Sequence, residues 1–223
     1  MADAGLPLPL IVPLGDAGLL VRFATTLSDA ANRRAIAFAR LLRRDLPFGV
    51  SEIDPNLVSV LLKYDPQMID FDRLAGEVRL LLGSGTAADE ADEATEYAIA
   101  VEFGGAVGPD LAEAAAATGL DVDSFVKAHN AGPLRVLTTG FAPGFVYCGF
   151  HPEALQVPRR TEVRRSVPAG SVLFAAGQTA ITSTTIPTGW HVIGRTAFRN
   201  FDADAAPPTQ LREGDAVRFE VVR

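Results

Sequence analysis

Along the first eighty residues the apolar positions switch between two periods. LIVPLGDAGLLVRF alternates as two short strands would, around a turn at Gly15-Asp16. A helix then follows, capped by Ser28 or Asp29, with Ala31, Ala35, Phe38 and Leu42 on one face and Arg33, Arg40, Arg43 and Arg44 mostly elsewhere. After Pro47 the pattern returns to strands, near Val50 to Ile53 and, more strongly, in LVSVLLKY from Leu57 to Tyr64. A second helix begins around Asp70, turns Leu74, Val78, Leu81 and Leu82 inward, and stops at Gly83. The order ββαββα with short connections predicts an antiparallel sheet with two helices on one face. Nothing in this half points to catalysis.

GSGTAADEADEATE interrupts both periods. It carries Asp89, Glu90, Asp92, Glu93 and Glu96 with no basic residue and almost no bulky apolar side chain, so it reads as a solvated linker. Beyond it EYAIAVEF alternates like a half-buried strand. Gly108-Pro109-Asp110 opens an alanine-rich helix closed by Gly119, and a short helix is expected from Asp121 to Asn130. From Leu134 onward the helical period disappears. LRVLTTGF, SVLFAAG, TAITSTT, WHVIGRT and AVRFEVV are short runs separated by Pro and Gly clusters, the pattern of a closed or nearly closed β-barrel. The expected organisation is an α+β domain over residues 1–85, an acidic linker over 86–96, and a mostly-β barrel domain over 97–223.

Composition narrows the function classes. The 223 residues are 48% hydrophobic and 21% charged, which is ordinary for a globular protein. Lys+Arg 20 against Asp+Glu 27 gives a formal charge of −7, which argues against nucleic acid or an anionic membrane as partner. The single cysteine, Cys148, excludes an internal disulfide and a cysteine-rich zinc site. Together with the absence of a long apolar run and of a signal-like N-terminus, it leads to the expectation of a cytoplasmic protein.

Familiar catalytic patterns are missing. His129, His151 and His191 never fall at the i, i+4 spacing of paired metal ligands, so no metal is expected. There is no Gly-x-Ser-x-Gly elbow, Walker-type loop or dinucleotide fingerprint. Cys148, in an apolar and glycine-flanked context, reads as a buried hydrophobe. Four other stretches are denser in chemistry. TTGFAPGFVYCGF alternates Gly and Phe around Pro143, which suits a barrel corner or a pocket wall alike. VPRRTEVRRSVPAGS gathers Arg159, Arg160, Arg164 and Arg165 into either an anion site or a solvated edge neutralised by Glu162. AAGQTAITS sets the Gln178 amide, both donor and acceptor, among hydroxyls. PTGWHVIGRT holds the only tryptophan, Trp190.

In this order GFAPGF, VPRR, SVPAGSV, GQT, GW, IGRT and EGDAVRF resemble the KipI/PxpB family, also called allophanate hydrolase subunit 1. GDAGLLVRF, LVSVLLKYDP and GPDLAEAAAATGL extend the resemblance over nearly the whole chain. It implies an α+β N-terminal ferredoxin-like domain followed by a mostly-β cyclophilin-like barrel domain. It also implies a non-autonomous subunit of an ATP-dependent amide or lactam hydrolase, of the 5-oxoprolinase or allophanate hydrolase type, inactive alone and completed by a homologous partner.

The implied partners are a KipA/PxpC-like barrel subunit, with a PxpA-like third subunit, and a small amide or carboxylate substrate. ATP would be bound by the whole complex, and no cofactor would be covalently attached. Related family activities supply two alternatives: an inhibitor module of a sensor histidine kinase, and a carboxyltransferase component of a biotin-dependent carboxylase. Carried over by position, the catalytic candidates are Gln178, His129 and Tyr147. The substrate-binding candidates are Phe141, Pro143, Gly144, Phe145, Arg159, Arg165 and Trp190. Several positions depart from the family pattern, among them Val146, Ala180 to Ser183, Thr188 and Leu134, and they cluster where the site is expected.

Overall fold

The computed structural model of the chain describes residues 8–83 and 94–222. The chain divides into two compact units, residues 1–93 and 94–223. Residues 86–93 of the expected linker lie outside the described residues. Its last residues belong to the second unit, where Thr95 donates its N–H to Asp215 Oδ1 and accepts from Ala216 N–H, and Glu96 starts a strand.

In the first unit, β1 (Leu10–Pro13), β2 (Gly18–Arg22), β4 (Ser59–Tyr64) and β3 (Val50–Pro55) form an antiparallel sheet in the order β1-β2-β4-β3. Two helices pack on it: α1 (Asp29–Arg44) and α2 (Phe71–Gly83). Ser28 caps α1, its extended backbone letting the hydroxyl accept from Ala31 N–H. Asp70 does the same for α2 through Arg73 N–H. Ala31, Ala35, Phe38 and Leu42 of α1 meet Leu74, Ala75 and Val78 of α2 and the inner face of the sheet in one core. Leu81 and Leu82, expected to turn inward, pack half-buried at its margin.

The second unit begins with β5 (Glu96–Phe103), α3 (Leu111–Ala117) and α4 (Val122–His129). Then come β6 (Leu134–Thr139), β7 (Val146–Gly149), β8 (Arg164–Val167), β9 (Ser171–Ala175), β10 (Gln178–Ile181), β11 (Ile186–Thr188), β12 (His191–Arg195) and β13 (Ala216–Val222). Seven of these close a barrel in the order β10-β7-β6-β13-β5-β12-β9, while β8 and β11 pair as a separate two-stranded sheet. The barrel is mixed. β5 and β13 run parallel through seven residue pairs, and the other ladders are antiparallel. A mixed seven-stranded closure in a mostly-β unit fits a cyclophilin-like barrel.

Side-chain alternation separates two apolar clusters on the two faces of the wall formed by β7, β10, β9 and β12. Val146, Cys148, Val172, Phe174, Ile181 and Ile193 point into the barrel. Tyr147, Leu173, Ala175, Ala180 and Val192 face outward, where Phe145, Val167, Ile186 and Trp190 cover them. Among the described residues no helix is long and apolar enough to cross a membrane.

Candidate functional site

The outward face carries a continuous aromatic path. The ring centroids of Phe141 and Phe145 lie 5.4 Å apart, those of Phe145 and Tyr147 4.7 Å, and those of Tyr147 and Trp190 5.9 Å. Arg159 Cζ stands 5.8 Å over the Trp190 ring, close enough for a cation–π contact. Burial pushes the Tyr147 hydroxyl above its ordinary pKa, and the Arg159 charge opposes this.

The loop that starts the path is held rigidly. Gly140 N–H donates to Phe145 C=O, and Phe145 N–H to Ala142 C=O. Gly144 C=O accepts from Ser183 Oγ and from the buried Asn200 Nδ2. Gly144 itself is required: at φ +68° a Cβ there would sit 2.4 Å from Phe201 Cβ and 2.7 Å from Ser183 Oγ. Pro143 is exposed at the loop tip.

Gln178 opens β10 on the same outward face as Ala180, whose register partner on β7 is Tyr147. The two positions are about 7 Å apart along the strand. Gln178 is 7% exposed, and its side-chain amide makes no hydrogen bond among the described residues. Neither its nitrogen nor its oxygen is fully buried without a partner, so the amide stays open to solvent, and to a ligand, on the outward face.

The four clustered arginines divide into two pairs. Asp110, just ahead of α3, does not cap that helix with its side chain. Its carboxylate accepts from Val192 N–H at 2.8 Å, Arg160 Nη1 at 2.7 Å and Arg164 Nε at 3.0 Å, and Arg160 also meets Glu113. Burial opposes ionisation of Asp110, but the bonds from Arg164 and Val192 and the charges of both arginines hold its carboxyl below the usual range. Arg160 and Arg164 thus fasten the β8 segment to α3 and β12. Arg159 and Arg165 remain exposed, with no ion pair among the described residues. Asp110→Ala leaves two cations facing one another, and in urea unfolding it is expected to cost about 3 kcal/mol. A loss under about 1 kcal/mol would contradict this assignment.

His129 sits on the opposite side of the wall. It ends α4 inside the barrel, 1% exposed, ringed by Phe103, Phe125, Phe174 and Phe219. Its Nε2 lies 2.7 Å from Thr179 Oγ1, and His151 Nε2 approaches the same hydroxyl at 2.8 Å. Asn130 Oδ1, which can only accept, lies 2.6 Å from His129 Nδ1 and assigns the proton there. Nε2 of His129 is then bare and accepts the hydrogen bond of the Thr179 hydroxyl, while His151 Nε2–H donates to Thr179 Oγ1. The structure therefore gathers Phe141, Phe145, Tyr147, Trp190, Arg159 and Gln178 on one face and places His129 behind it.

Sequence reasoning passed over Asp110, Thr179 and His151 as chemical groups. Asp110 looked like a helix opener, and Thr179 was one hydroxyl in a run. His151 has no sequence signature linking it to His129, 22 residues earlier. No group of three or more His, Cys, Asp or Glu among the described residues is placed to hold a metal ion.

Residues 9–211 match the family model of the carboxyltransferase domain, subdomain C and D. Over 220 residues the chain is 34% identical to the B subunit of 5-oxoprolinase from Bacillus subtilis (strain 168), covering 94% of this chain and 91% of that one. The chain belongs to the PxpB/KipI family. It is also 35% identical over 212 residues to the corresponding 5-oxoprolinase protein of Escherichia coli O157:H7, with 92% and 93% covered. Among solved structures, that of TTHA0988 is 32% identical and superposes with a TM-score of 0.79 over 92% of this chain. This PxpB/KipI chain spans only 40% of that protein's length.

Proposed function

We propose that the chain is one subunit of a 5-oxoprolinase-type complex, which opens a cyclic amide carrying a carboxylate at the expense of ATP. The observation that carries this reading is the near full-length match to the 5-oxoprolinase B subunits, extensive on both sides of each comparison. The outward face adds suitable chemistry. Gln178 offers both a donor and an acceptor to a lactam, the Tyr147 and Trp190 rings provide a flat wall, and Arg159 is a cation for the carboxylate. In the overall reaction water adds to the lactam carbonyl, the ring C–N bond breaks, and the freed amine takes up a proton. ATP is a co-substrate of the whole complex. On this chain the cations that suit a phosphate are Arg159 and Arg165.

A KipA/PxpC-like barrel subunit completes the site, so the chain alone is inactive. The test is reconstitution with that subunit and a PxpA-like subunit of the same genome. ATP-dependent conversion of 5-oxoproline to glutamate is expected only from the assembled complex. A tight complex that leaves 5-oxoproline untouched defeats the reading. Carboxyltransfer is the second reading, favoured by the description of the family model itself. It predicts that the same complex moves a carboxyl group from a biotin carrier, without glutamate formation.

A further inference from the structure

Phe141 is the largest apolar side chain the barrel unit leaves in water, 72% exposed. Its backbone lies at φ +73°, a region that disfavours any residue with a side chain. The loop's hydrogen bonds and the close fit of Gly144 against Phe201 and Ser183 hold it there. The held backbone projects the ring from the tip, where it rests against Phe145 with centroids 5.4 Å apart. Pro143 is exposed beside it, and Val163, 64% exposed, lies at the far end of the aromatic path, its Cγ2 the nearest atom to the Cβ position of Gly189.

We infer that Phe141 is the anchor of a protein–protein interface, seated in an apolar pocket of the partner subunit. Exposed aromatics on a held backbone are typical of the few residues that dominate such interfaces. The occupant is a protein chain rather than a small molecule for two reasons. A ring that projects outward from a loop tip offers a ligand no enclosure. In TTHA0988, matched over 40% of its length, about three-fifths of the polypeptide lies beyond the part that resembles this chain, so there the equivalent unit is joined to further protein. The inference rests on the partner proposed above and adds where that partner touches.

The test is Phe141→Gly in the full chain, with thermal unfolding of the chain alone and affinity for the KipA/PxpC-like subunit measured together. Glycine relieves the positive φ, so the variant is expected to unfold at the same or a higher temperature while its affinity falls about thirtyfold or more. A Phe141→Gly chain that binds like the wild type overturns the inference and leaves the 5-oxoprolinase reading standing. Failure of the wild-type chain to bind that subunit overturns both. Self-association of the wild type that Phe141→Gly abolishes makes a second copy the occupant, and a lowered unfolding temperature with unchanged affinity makes Phe141 an internal contact; either result overturns it too.

Discussion

Moving from about pH 7.5 to about pH 5.0 is expected to remove of the order of 4 kcal/mol of folding stability through two side chains, His129 and His151. Burial drives His129 down to about 4, partly opposed by its bond to Asn130, and drives His151 down to about 3, helped by the charge of His129. In the unfolded chain both return to roughly 6.5. The sign follows directly. Both folded values are depressed, so the stabilising contribution is complete above about pH 6.5. It drains away as the pH falls, because the unfolded state takes up protons that the folded state refuses. Each histidine loses about 1.4 kcal/mol per pH unit over that window, and two over about 1.5 units give the figure above.

The geometry explains the refusal. Thr179 carries one hydroxyl proton, which His129 Nε2 receives, and its oxygen accepts from His151 Nε2–H. Protonating His129 leaves the Nε2–H groups of both His129 and His151 aimed at the one Thr179 oxygen and strands the hydroxyl proton among aromatic rings. Urea unfolding at several pH values checks this, with His129→Gln as control. The variant should show a slope smaller by about one proton below roughly pH 6.5. An unchanged slope would mean that His129 is not among the groups being titrated.

How far the chain could be read without coordinates depended on the range of the interaction involved. α1 and α4 were legible because their signals are local: Ser28 and Asp121 each accept an N–H from the first turn, and the apolar stripe of α1 lies within its own sixteen residues. β7, β8 and β11 were not separated out, being three or four residues long and interrupted by Gly, Pro and Arg. Nor could the parallel pairing of β5 with β13 be seen, since Glu96 and Ala216 are neighbours across 120 residues of chain. Physically this is the closure of the barrel, and no local propensity encodes it.

The candidate site shows the same division. QTAI is buried on both faces, so its polarity does not alternate and nothing in the run tells which way Gln178 points. One strand position separates Gln178, outside, from Thr179, inside. That single step puts the amide with Tyr147 and Trp190, and puts His129 and His151 on the far side of the sheet. The arginine cluster resolved for a similar reason. Asp110, 50 residues ahead of Arg160, decides which arginines are structural and which are free.

Gln178→Ala is expected to separate activity from stability most sharply. In the assembled complex it should lower turnover of 5-oxoproline by about 10²–10³-fold, the usual loss when one oriented donor to a reacting carbonyl is removed. The isolated variant should unfold within about 1 kcal/mol of the wild type, because the amide has no hydrogen-bond partner among the described residues to lose and keeps its contact with solvent. Trp190→Ala should match that loss of activity but not the unchanged stability. The indole packs against Tyr147, and Arg159 stands over it, so its removal opens a gap over Leu173, Ala180 and Val192. Measuring both variants matters for that reason. A core residue would lose stability and activity together, whereas a group that touches substrate loses activity alone. Wild-type turnover in Gln178→Ala would remove the amide from the reaction and leave the outward face as a docking surface only.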